Sequence, residues 1–342
     1  MKAVRIHEHG GPEVLRYEDV PEPAAPFGHV LVRVKACALN HLDLWVRRGI
    51  PGQKIPLPHI LGSDVAGEVA AVGEGCTRVK AGERVLLAPA QSCRQCRYCV
   101  AGQDNFCRQY SLLGYFMDGG NAEYIAVPEV YAIAIPGDLS VEEAAAVPLV
   151  FLTAWHMLVT RARIQPGEEV LVLAASSGVG SAAIQIAKLW GCRVIATAGG
   201  EGKLTQARQL GADEVIEHYR QDITSEVKRL TNRRGVDVVL EHVGAATWDH
   251  SVAVLAHHGR LVTCGATTGP QAGIDLRHLF ARQLSLLGSF MGTLGELHEV
   301  LSFIGRRQLR PVIDRVFPLA EIRTAHERLE NKEQFGKVIV TP

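Results

Sequence analysis

Neither sign of charge is in excess: 36 Lys and Arg stand against 36 Asp and Glu in 342 residues. Proteins that hold nucleic acid or an anionic membrane surface carry a basic excess or stripe, so neither partner is expected. Long apolar runs are lacking too. The longest, 144–159, contains Pro148 and His156 and falls short of the roughly 20 residues that cross a bilayer. The first residues, Met1-Lys-Ala-Val-Arg-Ile-His7, have no apolar secretory core, so a cytoplasmic protein is expected. No repeat of solenoid period and no low-complexity tract is present, which excludes stacked-repeat architectures. What remains is a chain with 47% apolar residues, long enough for two domains with a core in each.

Cysteine is unevenly spread. Of 8 residues, Cys37, Cys76, Cys192 and Cys264 are isolated, and Cys93, Cys96, Cys99 and Cys107 crowd together. A secreted disulfide framework would be short and cysteine-dense throughout. Two CxxC steps sharing their middle cysteine, with a fourth after seven residues, can instead wrap four thiolates around one ion. Four cysteines leave no open coordination position, so one structural zinc per chain is expected. Unliganded loop thiols and an iron–sulfur cluster are the other readings, and the absence of a Pro-flanked ferredoxin run argues against the cluster.

The stretch Val170-Leu-Val-Leu-Ala-Ala-Ser-Ser-Gly-Val-Gly-Ser181 runs from a Val/Leu-rich strand through a tight turn into an apolar pattern of helical spacing. With Arg193–Ala198 it forms a βαβ unit of the dinucleotide-binding kind. Ser177, Gly178, Val179 and Gly180 place free N–H groups of a helix start against a pyrophosphate. Ala175 and Ser177 stand where the usual pattern has its first two glycines, so an ordinary turn of a parallel sheet is the competing reading. Further strands are predicted at Glu214–Glu217, Val236–Glu241, Arg260–Gly265 and Leu284–Phe290. Strands alternating with helices imply an α/β, Rossmann-type doubly wound parallel sheet. Residues 1 to about 90, by contrast, read as strands and Pro-punctuated turns. The apolar 144–159 run is expected to be a buried helix pair interrupted at Pro148. Past Met291, two helices and two strands are predicted to return to the first domain.

A β-rich N-terminal domain, a four-cysteine lobe, a nucleotide-binding domain and a return segment together resemble the medium-chain dehydrogenase/reductase superfamily. Local runs carry the resemblance as well: Gly11-Pro-Glu-Val-Leu15, Ala144-Ala-Ala-Val-Pro148 and Gly336-Lys-Val338. It implies a GroES-like catalytic domain over 1–150, bearing the zinc lobe and completed by 292–342, and a Rossmann domain over 151–291. The cysteine lobe resembles that of zinc alcohol dehydrogenases, whereas the active-site stretches resemble the quinone oxidoreductase branch. Aligned on Asp43, the three catalytic zinc ligands of the alcohol dehydrogenases fall on Asn40, on Ser63 and near Leu149, none of which suits zinc. A rewired site would have to draw on His41, Asp43, His59 and Asp64.

The resemblance further implies a nicotinamide cofactor held by His41 at the pyrophosphate, Thr153 at the nicotinamide end, and Val243, Gly265 and Ala266 at the strand ends. Small residues replace the acid that normally follows the second strand. Lys203 and Tyr219 stand near a 2′-phosphate, so NADP(H) is expected over NAD(H), with Glu201 as counter-evidence. The implied reaction is hydride transfer to a quinone or an alkene conjugated to a carbonyl, without catalytic zinc. Asn40 and then Ser63 are the expected donors to the acceptor oxygen, Thr153 lies at the reacting ring, and Asp43 holds the Asn40 loop. Trp45, Tyr115 and Phe116 are candidate walls for a flat acceptor. Zinc-dependent alcohol oxidation and a non-catalytic, redox-sensing nucleotide-binding protein are the alternatives. The apolar strand Leu284–Phe290 at a sheet edge implies a homodimer or a dimer of dimers.

Overall fold

The β-branched runs of the first domain pair with one another. In the computed structural model, which describes residues 1–342, strand His29–Ala38 hydrogen-bonds to Asp64–Val72 on one side and Lys337–Thr341 on the other. It is the spine of a seven-stranded sheet. Alternation puts Val30, Val32 and Val34 into the core, together with Val65, Val69, Val85, Val338 and Val340. Because Lys337–Thr341 is a strand of this sheet, the chain's last residues complete a domain begun by its first. The compact unit accordingly comprises Met1–Leu149, Thr293–Arg307 and Pro311–Pro342. A smaller sheet of Leu15–Asp19, Lys2–Ile6 and His59–Ile60 belongs to the same unit.

The second unit comprises Val150–Gly292 and Gln308–Arg310. Its six strands run in the spatial order Glu214–Glu217, Arg193–Ala198, Glu169–Val172, Val236–Glu241, Leu255–Thr263, Ser285–Gly288. All five pairings are parallel. In order of succession this is 3-2-1-4-5-6, the doubly wound topology. Connections change direction beside Glu169–Val172, and ligands of such sheets bind outside the strand ends at that point. The strands read as near-continuous apolar runs because both faces are covered: Val170, Leu171, Val172, Val194, Ile195, Val238, Val239 and Leu240 are fully buried.

Several element ends differ from expectation. The first of the six strands stops at Val172 rather than Ala175, because the chain turns through Ala174 with φ of 47° to enter the nucleotide turn. Backbone pairing extends the fifth strand back to Leu255 and shortens the sixth to Ser285–Gly288. The apolar 144–159 run breaks as the proline dictates: one helix covers Val141–Ala145, a second starts at Pro148, and a π-helical turn follows over His156–Arg161. The first of these has a full capping box, Ser140 Oγ accepting the Glu143 N–H (3.1 Å) and Glu143 accepting the Ser140 N–H (2.9 Å).

Candidate functional site

The four-cysteine lobe is folded for an ion. The sulfurs of Cys93, Cys96, Cys99 and Cys107 all lie within 4.8 Å of one another. Cys93 and Cys99 are 3.9 Å apart, and Cys96 and Cys99 are 3.6 Å apart. A tetrahedron with Zn–S bonds of about 2.3 Å has edges of about 3.8 Å, so these residues fit zinc. Backbone donors favour the thiolate form: the Cys96 N–H points at Cys93 Sγ and the Gln109 N–H at Cys107 Sγ. Donors from Gln95 and Cys96 pull the Cys93 thiol down to about 6, while burial pushes Cys99 up to about 11. A bound cation would hold all four as thiolates.

The positions that carry catalytic zinc in alcohol dehydrogenases do converge, but on a different chemistry. Asp64, fully buried, sits at their centre. Its Oδ1 accepts the Leu149 N–H (2.8 Å), and its Oδ2 accepts Asn40 Nδ2 and Lys337 Nζ, both at 2.9 Å. Lys337 Nζ also donates to Asn40 Oδ1 at 2.5 Å. Asn40 Nδ2 makes its second bond to the Ala38 carbonyl at 3.3 Å. The Ser63 hydroxyl, fully buried, donates to the Leu113 carbonyl at 2.6 Å.

In this geometry Asn40 and Ser63, the two expected substrate donors, give their hydrogens to groups inside the protein. Asp43 holds the loop from beneath, its Oδ2 accepting the Asn40 N–H (2.7 Å) and its Oδ1 the Gly62 N–H (2.9 Å). Burial pushes its carboxyl from 3.8 to about 6, against the pull of those N–H groups and of Lys337. Gly62 is required here: its φ is +101°, and a Cβ would meet Cys37 and Asn121 at 2.7 Å.

A second zinc does not fit this locus. The carboxylates of Asp43 and Asp64 are committed as described, and His59 Nδ1 lies 3.3 Å from Asp118. The one place where three or more Cys, His, Asp or Glu side chains converge in ligating geometry is the cysteine lobe. His41 begins the helix His41–Arg48, its ring edge-on to Trp45 at 6.2 Å. Tyr115 and Phe116 stack on each other at 3.8 Å.

In the second unit the nucleotide turn is capped from within. Ser177 Oγ accepts the Gly180 N–H at 2.8 Å and starts the helix Gly178–Leu189, whose second residue is Val179. A Cβ on Gly180 would lie 2.4 Å from the Ala174 carbonyl oxygen. This is the close helix–strand approach a dinucleotide turn needs, and a fit to the cofactor that does not depend on the imperfect glycine pattern. His242 Nε2, 3.1 Å from the Leu173 carbonyl and 3.4 Å from Ser177 Oγ, ties the fourth strand's end to the turn. Burial lowers its pKa.

Beside it, Val243, Gly265 and Ala266 come together as expected neighbours. The Gly265 Cβ position is 2.9 Å from the His242 carbonyl oxygen, and that of Gly244 is 2.9 Å from Ala266 Cα. Glu241, fully buried, accepts the N–H groups of Val243 (2.7 Å) and Gly244 (3.0 Å) and the Ser251 hydroxyl (2.6 Å). Thr153 is buried, with Oγ1 3.8 Å from Met291 Sδ. At the end of the second strand, Lys203 lies in the first turn of the helix Glu201–Gln209, and Tyr219 closes over Gly199. Sequence reading missed Lys337, Glu217, Glu241 and His242. Lys337 alone had a signal, in the Gly336-Lys-Val run.

A sheet with this winding order and turn, joined in one chain to a β unit with a zinc lobe, is the architecture of a nicotinamide-dependent oxidoreductase. Comparison with known proteins agrees. Residues 26–137 match the alcohol dehydrogenase GroES-like domain, and residues 178–306 match the zinc-binding dehydrogenase domain. The quinone oxidoreductase of Homo sapiens is 31% identical over 99% of this chain and 97% of its own. An NAD-dependent alcohol dehydrogenase of Sulfolobus acidocaldarius is 33% identical over 99% of each. Among solved structures, an NAD-dependent alcohol dehydrogenase superposes with a TM-score of 0.97 at 46% identity, covering 100% of both chains. The crotonyl-CoA carboxylase/reductase AntE, in complex with NADP, reaches 0.92 at 28% identity, over 100% of this chain and 94% of its own. The chain belongs to the medium-chain dehydrogenase/reductase superfamily and is an oxidoreductase.

Proposed function

We propose that this protein reduces a quinone, or an alkene conjugated to a carbonyl, at the expense of NADPH and without catalytic zinc. The observation that carries the reading is the buried Asn40–Asp64–Lys337 unit. It fills the locus of a catalytic metal with an amide, a carboxylate and an ammonium that satisfy one another. A metal there would have to displace Lys337 from Asp64 and leave a buried ammonium without its carboxylate.

A bound nicotinamide would supply the hydride. The chain's share is orientation: Ser177 and Gly180 hold the helix start that receives the pyrophosphate, and Glu241 fixes the Val243–Gly244 turn. With Asn40 and Ser63 donating inward, the proton that completes the reduction comes from water. The preference for NADPH rests on the small residues Gly199 and Gly200 at the second strand's end, with Lys203 and Tyr219 beside them.

Zinc-dependent alcohol oxidation is the second reading, favoured by the 46% identity to an alcohol dehydrogenase structure. Elemental analysis of the purified protein separates the two. One zinc per chain, with NADPH oxidised by quinones or enones, is the expected result. Two zincs per chain, or oxidation of alcohols that chelation abolishes, would sink the proposal.

A further inference from the structure

We propose that Glu217 is a specificity-determining residue of the cofactor site, its carboxylate holding down the affinity for a 2′-phosphorylated adenosine. This rests on the dinucleotide reading above and deepens it. In doubly wound sheets, the acid that recognises the ribose hydroxyls stands at the end of the second strand. That strand ends here in Ala198, followed by Gly199 and Gly200, with no carboxylate. The parallel register, however, pairs Ala198 with Glu217, the last residue of the next strand. The acid missing from one strand end is supplied sideways by its neighbour.

Glu217 is held in place. Its side chain is only 13% exposed. Oε1 accepts the N–H groups of Gly200 and Tyr219, each at 3.3 Å, and its own N–H donates to Gln221 Oε1 at 2.8 Å. Gly200 is the residue from which the helix Glu201–Gln209 starts, so the carboxylate sits against that helix start. A cavity of about 490 Å³ opens at this point, lined by Gly200, Glu201, Glu217, Tyr219, Arg220 and Gln221. A Cβ at Gly199 would lie 2.3 Å from the Tyr219 ring, so the ring forms a fixed edge of the strand end.

One cation faces the carboxylate directly. Arg220 Nε is 3.3 Å from Glu217 Oε2, and the arginine side chain is 88% exposed. A 2′-phosphate in this cavity therefore meets one attracting charge, Arg220, and two repelling ones, Glu217 and the exposed Glu201, the latter already paired with Arg208 at 3.3 Å. Arg220 is a surface side chain free to reorient, whereas Glu217 is pinned by two backbone donors. The fixed charge decides the discrimination, and Arg220 offsets part of it.

The test is calorimetric binding of 2′,5′-ADP and 5′-AMP, which differ only in the 2′-phosphate, to the full chain, to E217Q and to R220Q. The ratio of the two dissociation constants cancels whatever both ligands share. In E217Q the ratio is expected to move roughly tenfold toward 2′,5′-ADP, the change that about 1.4 kcal/mol of relieved repulsion produces. In R220Q, where the carboxylate is unmasked, it moves the other way. An unchanged or opposite shift in E217Q overturns the proposal. Should E217Q fail to fold, an unchanged ratio in R220Q does the same. The unmodified protein's own ratio tests the NADPH preference separately: tighter 5′-AMP binding removes that preference without touching the role of Glu217. No binding of either ligand overturns both.

Discussion

Asp64 and Lys337 show how much one buried pair can organise. Lys337 is 3% exposed and Asp64 is fully buried, and with Asn40 they satisfy one another's hydrogen bonds. Removing one partner of such a pair leaves an uncompensated charge in the core, which costs about 3–5 kcal/mol. K337M is therefore expected to lower the stability of the Met1–Leu149 unit by that amount, read as a shift of the urea midpoint. A change under about 1 kcal/mol would mean that the ammonium is not ion-paired in solution. Asn40 and Ser63 were read from the sequence as substrate donors. Their positions were legible, but their hydrogen bonds were not, because the partners are the Ala38 and Leu113 carbonyls and a lysine almost 300 residues away.

Between elements, the helices His41–Arg48 and Ile322–Glu330 meet through a buried arginine. Arg47, fully buried, places Nη1 3.1 Å from His326 Nδ1, Nε 3.2 Å from the Gly10 carbonyl, and Nη2 on the Glu330 carboxylate. Arginine can only donate, so His326 Nδ1 must accept and the ring must be neutral. Burial, and then the Arg47 charge, hold its pKa down from 6.5 to about 3. The sign follows. Below the unfolded-state pKa of about 6.5 the unfolded chain takes up a proton that the fold refuses. The histidine's contribution to stability is thus fully present above that pH. It is lost as pH falls toward 3, by up to about 1.4 kcal/mol per pH unit. Urea midpoints for H326Q should accordingly fall less steeply than those of the unmodified protein between pH 6.5 and 4. Parallel curves would show that His326 is accessible to protons in the fold. Of the two helices only the later one was read from the sequence, over 319–330, and it resolves into a 3₁₀ turn, Leu319–Glu321, followed by Ile322–Glu330; His41–Arg48 lies in a stretch read as strands and turns. The ion-paired docking between them was not legible.

For the whole molecule, the edge strand Ser285–Gly288 has no strand partner on its outer side, because only Leu255–Thr263 borders it, although the Gly288 carbonyl accepts Arg161 Nε at 2.9 Å. We propose that this edge pairs with a second copy, giving a homodimer or a dimer of dimers. Apolar side chains near the edge agree: Leu276, Phe280 and Phe290 are 65%, 70% and 56% exposed. L286P is expected to convert the assembly to monomer in light scattering, since proline removes an edge donor. An oligomer unchanged in mass would place the interface elsewhere. No helix of the molecule is long and apolar enough to cross a membrane.

By itself, the sequence determined whatever depends on near neighbours along the chain. The CxxC spacing collects Cys93, Cys96 and Cys99 within one loop, and Ser177 to Gly180 span a single turn. The alternation of strands and helices forces a parallel doubly wound sheet, since parallel strands need a crossover helix between them. Tertiary structure decided whatever depends on which strand lies beside which. Glu217 reaches the second strand's end only because parallel pairing sets it against Ala198. Lys337 reaches Asn40 and Asp64 only because the last strand, Lys337–Thr341, lies beside His29–Ala38 in the sheet. Local propensity carries no record of such pairings. Burial does, because a charge taken out of water must find its partner wherever the fold brings one.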